Sequence, residues 1–201
     1  MYQSEWTDKT MLHVFPHWNW RKGEQVDIWA YYNNADEVEL YLNGKSLGIR
    51  KKINDDLHIM WRVPFEPGTL KAISRKNGRI VLIKEIKTAG KPCKIELTAD
   101  KNKLIAGSEN LCFITARLLD KEGNLVPDAD DLIKFSLKGN ATIAGTDNGY
   151  QADSVSLSGK ERRAWKGIAL VIVKATSKKG NNTLIASATG LPKAKIIVNV
   201  H

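Results

Sequence analysis

Cysteine is scarce in this sequence, with two residues in 201, Cys93 and Cys112. They are too few and too far apart for a zinc cluster or a disulfide framework, so two free, partly buried thiols are expected. Long apolar runs are missing too: none approaches the ~20 residues that span a bilayer, and no membrane insertion is expected. The N-terminal MYQSEWTDKT has neither the basic nor the apolar region of a signal peptide. Charge of one sign is not gathered anywhere. The 31 basic residues exceed the 22 acidic ones to give +9, which raises nucleic acid as a partner. Apart from Arg50-Lys51-Lys52, Arg162-Arg163 and Lys178-Lys179, however, the basic residues are scattered among acidic ones. Lysines along strand edges discourage edge-to-edge pairing, and on that reading no nucleic acid is bound.

What the chain does contain is period-two alternation. Val38, Leu40 and Leu42 alternate with Glu39 and Tyr41, as in a strand buried on one face. Asn43-Gly44 follows, a dipeptide suited to the two positive φ values of a type I′ hairpin turn, and Lys45 to Ile49 returns. Upstream, Val26, Ile28 and Ala30 alternate with Asp27, Trp29 and Tyr31, and Asn33-Asn34 bends the chain. Leu12 to Phe15 suits a short strand that Pro16 ends. Leu57 to Val63, Thr69 to Ser74 and Arg79 to Lys87 are further strands, the last two joined at Asn77-Gly78. About seven strands by residue 88 make one small sandwich.

Thr88-Ala89-Gly90-Lys91-Pro92 breaks the pattern and marks a domain boundary. A second set of strands begins at Ile95 and Leu97. It continues through Leu111 to Asp120, Ile133 to Leu137, Ala141 to Ala144, Ile168 to Ala175, Leu184 to Ala188 and Ile196 to Val200, with a turn at residues 121–124. The expected fold is all-β: two tandem immunoglobulin-like β-sandwich domains, residues 11–88 and 93–201, after residues 1–10, which read as a loose tail or as the end of something that begins upstream.

Several short patterns lose to plainer readings. Gly44-Lys-Ser-Leu-Gly48 fits G-x-S-x-G, but a nucleophile elbow needs a strand running into a helix, and Ser46 follows a hairpin turn. A P-loop needs a glycine where Glu39 stands. His13 and His17 are too few ligands for zinc, and Pro16 removes the helix that would align them. Asp128, Asp130, Asp131, Asp147 and Asn148 fit no calcium loop and suit turns. The sequons at Asn140 and Asn181 carry little weight. No carboxylate pair is set out by spacing for general acid–base work, and no catalytic residue, metal site or cofactor is assigned.

Taken together, His13-Val-Phe-Pro-His-Trp-Asn-Trp20, Asn34 to Gly48 and Val63-Pro-Phe-Glu-Pro-Gly-Thr-Leu70 resemble the β-domain that follows the catalytic barrel in bacterial β-galactosidases of glycoside hydrolase family 2. Val126 to Phe135, Ile143-Ala-Gly-Thr-Asp-Asn-Gly149 and Arg162-Arg-Ala-Trp165 are similar to the C-terminal immunoglobulin-like domain of the same enzymes. Tyr2-Gln-Ser-Glu-Trp6 resembles the end of the barrel's closing segment. This resemblance implies an accessory region of a larger retaining glycosidase, in which two glutamates of a (β/α)₈ barrel perform the chemistry. No glutamate here matches those motifs. The implied partner is the catalytic barrel of a parent chain, and the implied location is the periplasm, the cell surface or outside the cell.

Tryptophan is abundant, at six residues. Trp18, Trp20 and Trp61 are candidates for carbohydrate stacking, for packing in the small core or for the barrel interface, with the barrel interface favoured, because large aromatics dominate cores and interfaces alike. Arg162, Arg163 and Trp165 form a second cluster, expected at an inter-domain contact. An autonomous carbohydrate-binding module is the alternative to a scaffold.

Overall fold

Both Asn-Gly pairs turn the chain as their composition requires. In the computed structural model, which describes residues 1–201, Asn43 and Gly44 have φ of 51° and 83°, and Asn77 and Gly78 have 50° and 75°. Two successive positive φ values give the type I′ turn, whose twist matches the strands it joins. The Asn43 side chain does further work. Its Nδ2 donates to the Pro67 carbonyl at 3.1 Å, and its Oδ1 accepts from the Thr69 N–H at 2.9 Å. A Cβ at position 68 would overlap Asn43 Oδ1, and Gly68 has φ of 142°, so glycine is required there.

The chain divides into two units, Met1–Thr88 and Ala89–His201. The first holds a short helix, α1 (Tyr2–Trp6), and seven strands: β1 (Leu12–Phe15), β2 (Gln25–Tyr32), β3 (Glu37–Leu42), β4 (Lys45–Arg50), β5 (Ile59–Pro64), β6 (Thr69–Lys76) and β7 (Arg79–Lys87). They pair antiparallel into two sheets, β1-β2-β5 and β4-β3-β6-β7. Val26, Ile28, Ala30 and Tyr32 face inward from β2, and Val38, Leu40 and Leu42 from β3. With Val14, Trp61, Val63, Leu70 and Ala72 they make one core. Burying such side chains contributes about 1.5–3 kcal/mol each, which is what holds two small sheets together.

Residues 1–10 are not the loose tail expected of them. Asn33 Nδ2 donates to the carbonyls of Thr7 and Lys9 at 2.9 and 3.0 Å, Asn34 Nδ2 donates to Asp8 O at 3.0 Å, and Lys52 Nζ reaches Glu5 at 2.8 Å. The Asn33-Asn34 bend therefore fastens the segment as well as turning the chain. Main-chain carbonyls that would otherwise face water alone are satisfied by the two amides.

The second unit contains β8 (Lys94–Ala99), β9 (Lys103–Leu104), β10 (Leu111–Leu119), β11 (Leu132–Lys138), β12 (Thr142–Asp147), β13 (Glu161–Arg163), β14 (Ile168–Lys174), β15 (Gly180–Ser187) and β16 (Ala194–Val200). One sheet runs β12-β14-β10-β8 and the other β13-β11-β15-β16-β9. All neighbours are antiparallel except β9 with β16. Cys112, Ile114, Ala116 and Leu118 of β10 and Ala169, Val171 and Val173 of β14 meet Ile133, Phe135, Leu184, Ala186 and Val198 in a single core. Both units are β-sandwiches, the architecture that their alternating patterns predict.

Candidate functional site

Trp18 and Trp61 do not form a surface. Their relative exposures are 0% and 3%, so the expectation that they meet carbohydrate or a barrel is corrected: both belong to the core of the first unit. Trp18 Nε1 donates to the Glu66 carbonyl at 2.9 Å, and its ring meets Phe65 edge-on with centroids 5.0 Å apart. Trp61 Nε1 donates to Gly48 O at 3.3 Å. A buried indole whose N–H is bonded to main chain has no face left for a ligand. Trp20 is half-buried, donates to His17 O at 2.8 Å and stacks on the His17 ring at 4.8 Å. Together these rings anchor the 16–24 segment, whose Gly23 N–H bonds Phe65 O and whose Glu24 carbonyl accepts from the Phe65 N–H.

Arg162, expected at an inter-domain contact, is instead turned into its own unit. Its side chain is 1% exposed. Nη1 donates to Asp153 Oδ2 at 2.9 Å and to Val155 O at 3.1 Å. Nη2 donates to Thr146 O at 3.0 Å and Ser156 O at 2.7 Å, and Nε reaches Thr146 Oγ1 at 3.3 Å. The five N–H donors of the guanidinium are thereby all used within the unit, leaving none for another surface. The Val155 N–H and the Arg162 guanidinium hold the Asp153 carboxyl below its usual range.

Arg163 and Trp165 point the other way. Arg163 Nη1 donates to Asp130 O at 2.9 Å and lies 3.6 Å from the Asp130 carboxylate. Trp165 is 40% exposed and stacks on Tyr150, itself 44% exposed, with centroids 4.3 Å apart. These side chains, with Leu132 and Val155, line a cleft of about 420 Å³ between the 148–157 loop and β13. Tyr150 has no strand periodicity to announce it, so the sequence offers no sign of its pairing with Trp165.

A second aromatic surface lies on the outward face of β1-β2-β5. Phe15 opposes Trp29 and His13 opposes Tyr31 across the β1–β2 register. Phe15 stacks on Tyr31 at 5.7 Å and tilts against Trp29 at 5.8 Å, while Trp29 lies parallel to His58 at 4.3 Å. Partial burial, with the positive N-terminus and Lys84, lowers the His13 pKa. A sheet face turned to water ordinarily carries polar side chains. The signal was present in the sequence: Trp29 and Tyr31 occupy the outward positions of β2, alternating with the buried Ile28, Ala30 and Tyr32. Ser46, weighed above as a nucleophile, sits on β4 and its hydroxyl bonds Glu39 Oε1 at 2.7 Å.

The fold is that of tandem immunoglobulin-like sandwiches, and the comparisons with known proteins define its family. Residues 95–197 match glycoside hydrolase family 2 C-terminal domain 5, and residues 23–82 match a domain of unknown function, DUF4982. The chain belongs to glycoside hydrolase family 2, as its C-terminal region. Over all 201 of its residues it is 50% identical to beta-galactosidase BoGH2A of Bacteroides ovatus, covering 24% of that protein. A beta-glycosidase of Bacteroides vulgatus superposes with a TM-score of 0.91 at 32% identity, over 99% of this chain and 26% of that one. A glycosyl hydrolase family 2 member of Bacteroides cellulosilyticus gives 0.92 at 30% identity, over 99% and 29%. The chain thus spans about a quarter of the length of these relatives.

Proposed function

We propose that this chain is a non-catalytic accessory region of a β-galactosidase-like glycosidase, and that it supports the catalytic barrel through the outward face of β1-β2-β5. The observation that carries this reading is the aromatic cluster of His13, Phe15, Trp29, Tyr31 and His58 on that face. Contiguous apolar surface on a sheet marks an interaction site, and aromatic side chains are enriched where protein surfaces meet. The whole-chain likeness to BoGH2A, which covers only 24% of that β-galactosidase, supports a division of labour in which the chemistry is done elsewhere. A retaining glycosidase needs two carboxyl groups about 5–5.5 Å apart on a substrate cleft. Here Asp27 and Glu39 are engaged by Arg62 and Arg75 at 2.7 and 2.8 Å. The same family resemblance supports a site of action in the periplasm or at the cell surface.

The test is an assay of the purified chain with 4-nitrophenyl β-galactoside. No release of nitrophenol above buffer is expected, and genuine turnover would overturn the accessory reading. For the location, recovery of the protein in the cytoplasmic fraction of its source cells would contradict export.

A further inference from the structure

We propose that the cleft between the 148–157 loop and β13 binds a neutral oligosaccharide, independently of any barrel. Its volume of about 420 Å³ lies within the range of small-molecule sites. A sugar ring has an apolar C–H face and a rim of hydroxyls, so a site for it pairs an aromatic wall with polar groups at the edge. Both are present. The Tyr150–Trp165 stack supplies the wall, with rings 44% and 40% exposed, and Leu132 and Val155 extend it.

At the rim stands the Arg163–Asp130 pair, whose side chains are 62% and 78% exposed. An ion pair so wet holds its partners weakly, which leaves donors and acceptors open to hydroxyl groups. The lining charges are mixed: Asp130, Asp153 and Glu161 against Arg162 and Arg163. Asp153 and Arg162 neutralise each other at 2.9 Å. That balance favours an uncharged saccharide over a uronic acid.

The loop is also held in one shape. Arg162 ties together Thr146, Asp153, Val155 and Ser156, and Asn148 Nδ2 donates to Asp153 and to Arg163 O, both at 3.0 Å. Burying a guanidinium is costly, and a loop that only linked two strands gains little from it. A loop that presents a binding wall gains preorganisation, because the ordering cost is met before the ligand arrives.

The experiment is calorimetric titration of the 201-residue chain with β-1,4-linked gluco-, xylo-, galacto- and mannotetraose. Saturable binding of at least one, weakened tenfold or more in both Trp165→Ala and Tyr150→Ala, is expected. Trp6→Ala, at an exposed ring of α1, should bind as the parent does. Thermal melts of the two cleft variants should stay close to the parent's, since both rings are surface groups. Three results would each overturn the proposal: no binding at millimolar saccharide, binding that both cleft variants retain, or concentration-dependent self-association that Trp165→Ala abolishes. None of these bears on the accessory reading, which the galactoside assay addresses separately.

Discussion

Asp153 Oδ2 lies 2.9 Å from Nη1 of Arg162, a guanidinium whose side chain is 1% exposed. The Asp153 carboxylate compensates the burial of the guanidinium, and the carbonyls of Thr146, Val155 and Ser156 complete the set. Removing the guanidinium leaves the buried Thr146 carbonyl and its neighbours without donors, and a buried polar group left unsatisfied costs about 1–3 kcal/mol. Arg162→Met is therefore expected to destabilise the second unit by that amount in a urea melt. Lysine, with three donors and no fork, should not rescue it. A loss below about 1 kcal/mol would show that the network is not holding the loop.

Asp120 gives the second unit a dependence on pH. Burial by itself would raise its pKa, but N–H donors from Gly90, Asn124 and Glu122 and the Asn124 amide outweigh burial and hold it at about 2, against an ordinary 3.8. The folded value is depressed, so the stabilisation is complete above about pH 4 and is lost as pH falls towards 2. Linkage makes this on the order of 2 kcal/mol. Asp120→Asn should remove the acid-sensitive part of stability between those limits, as followed by urea melts at pH 2 to 6. A variant that keeps the parent's slope would contradict the assignment.

The two thiols should behave differently. Cys93 is exposed, which corrects the expectation of partial burial, whereas Cys112 is sealed in the second core and its Sγ–H donates to Lys101 O at 2.9 Å. Burial, with the nearby Asp100 carboxylate, raises the Cys112 thiol to about 11. Reactivity follows the thiolate. At pH 8 Ellman's reagent should consume one thiol in the native protein and both after unfolding, and two fast equivalents would contradict the burial.

Trp18→Ala should cost about 3–5 kcal/mol, since a large ring leaves a cavity and the Glu66 carbonyl loses its donor. Trp20→Ala, at a half-buried ring, should cost less. Equilibrium unfolding separates the two, and equal losses would contradict the placement of Trp18 at the centre of the core.

Alternation over four or more residues was readable directly, which is why β2, β3 and β10 are where their periods predict. β9 and β13, of two and three residues, are too short to carry a period. Trp61 was legible in principle, because it alternates with Ile59 and Val63, both buried. Trp18 was not: it stands in a loop, and its burial depends on contacts with residues distant in sequence, among them Phe65 and the Glu66 carbonyl. Arg162 was misread for the same kind of reason. The carbonyls that surround it come from residues 146–156, which converge only when the second sandwich closes.

The measurement closest to the central claim exchanges the corresponding quarter of Bacteroides ovatus BoGH2A for this chain, which is 50% identical to it. An accessory region that docks by the β1-β2-β5 face should give a chimera that hydrolyses β-galactosides. The double variant Trp29→Ser, Tyr31→Ser should then lower the chimera's melting temperature by several degrees more than it lowers that of the chain alone. Equal effects in the two settings would mean that these rings serve only their own domain, and would contradict docking through this face.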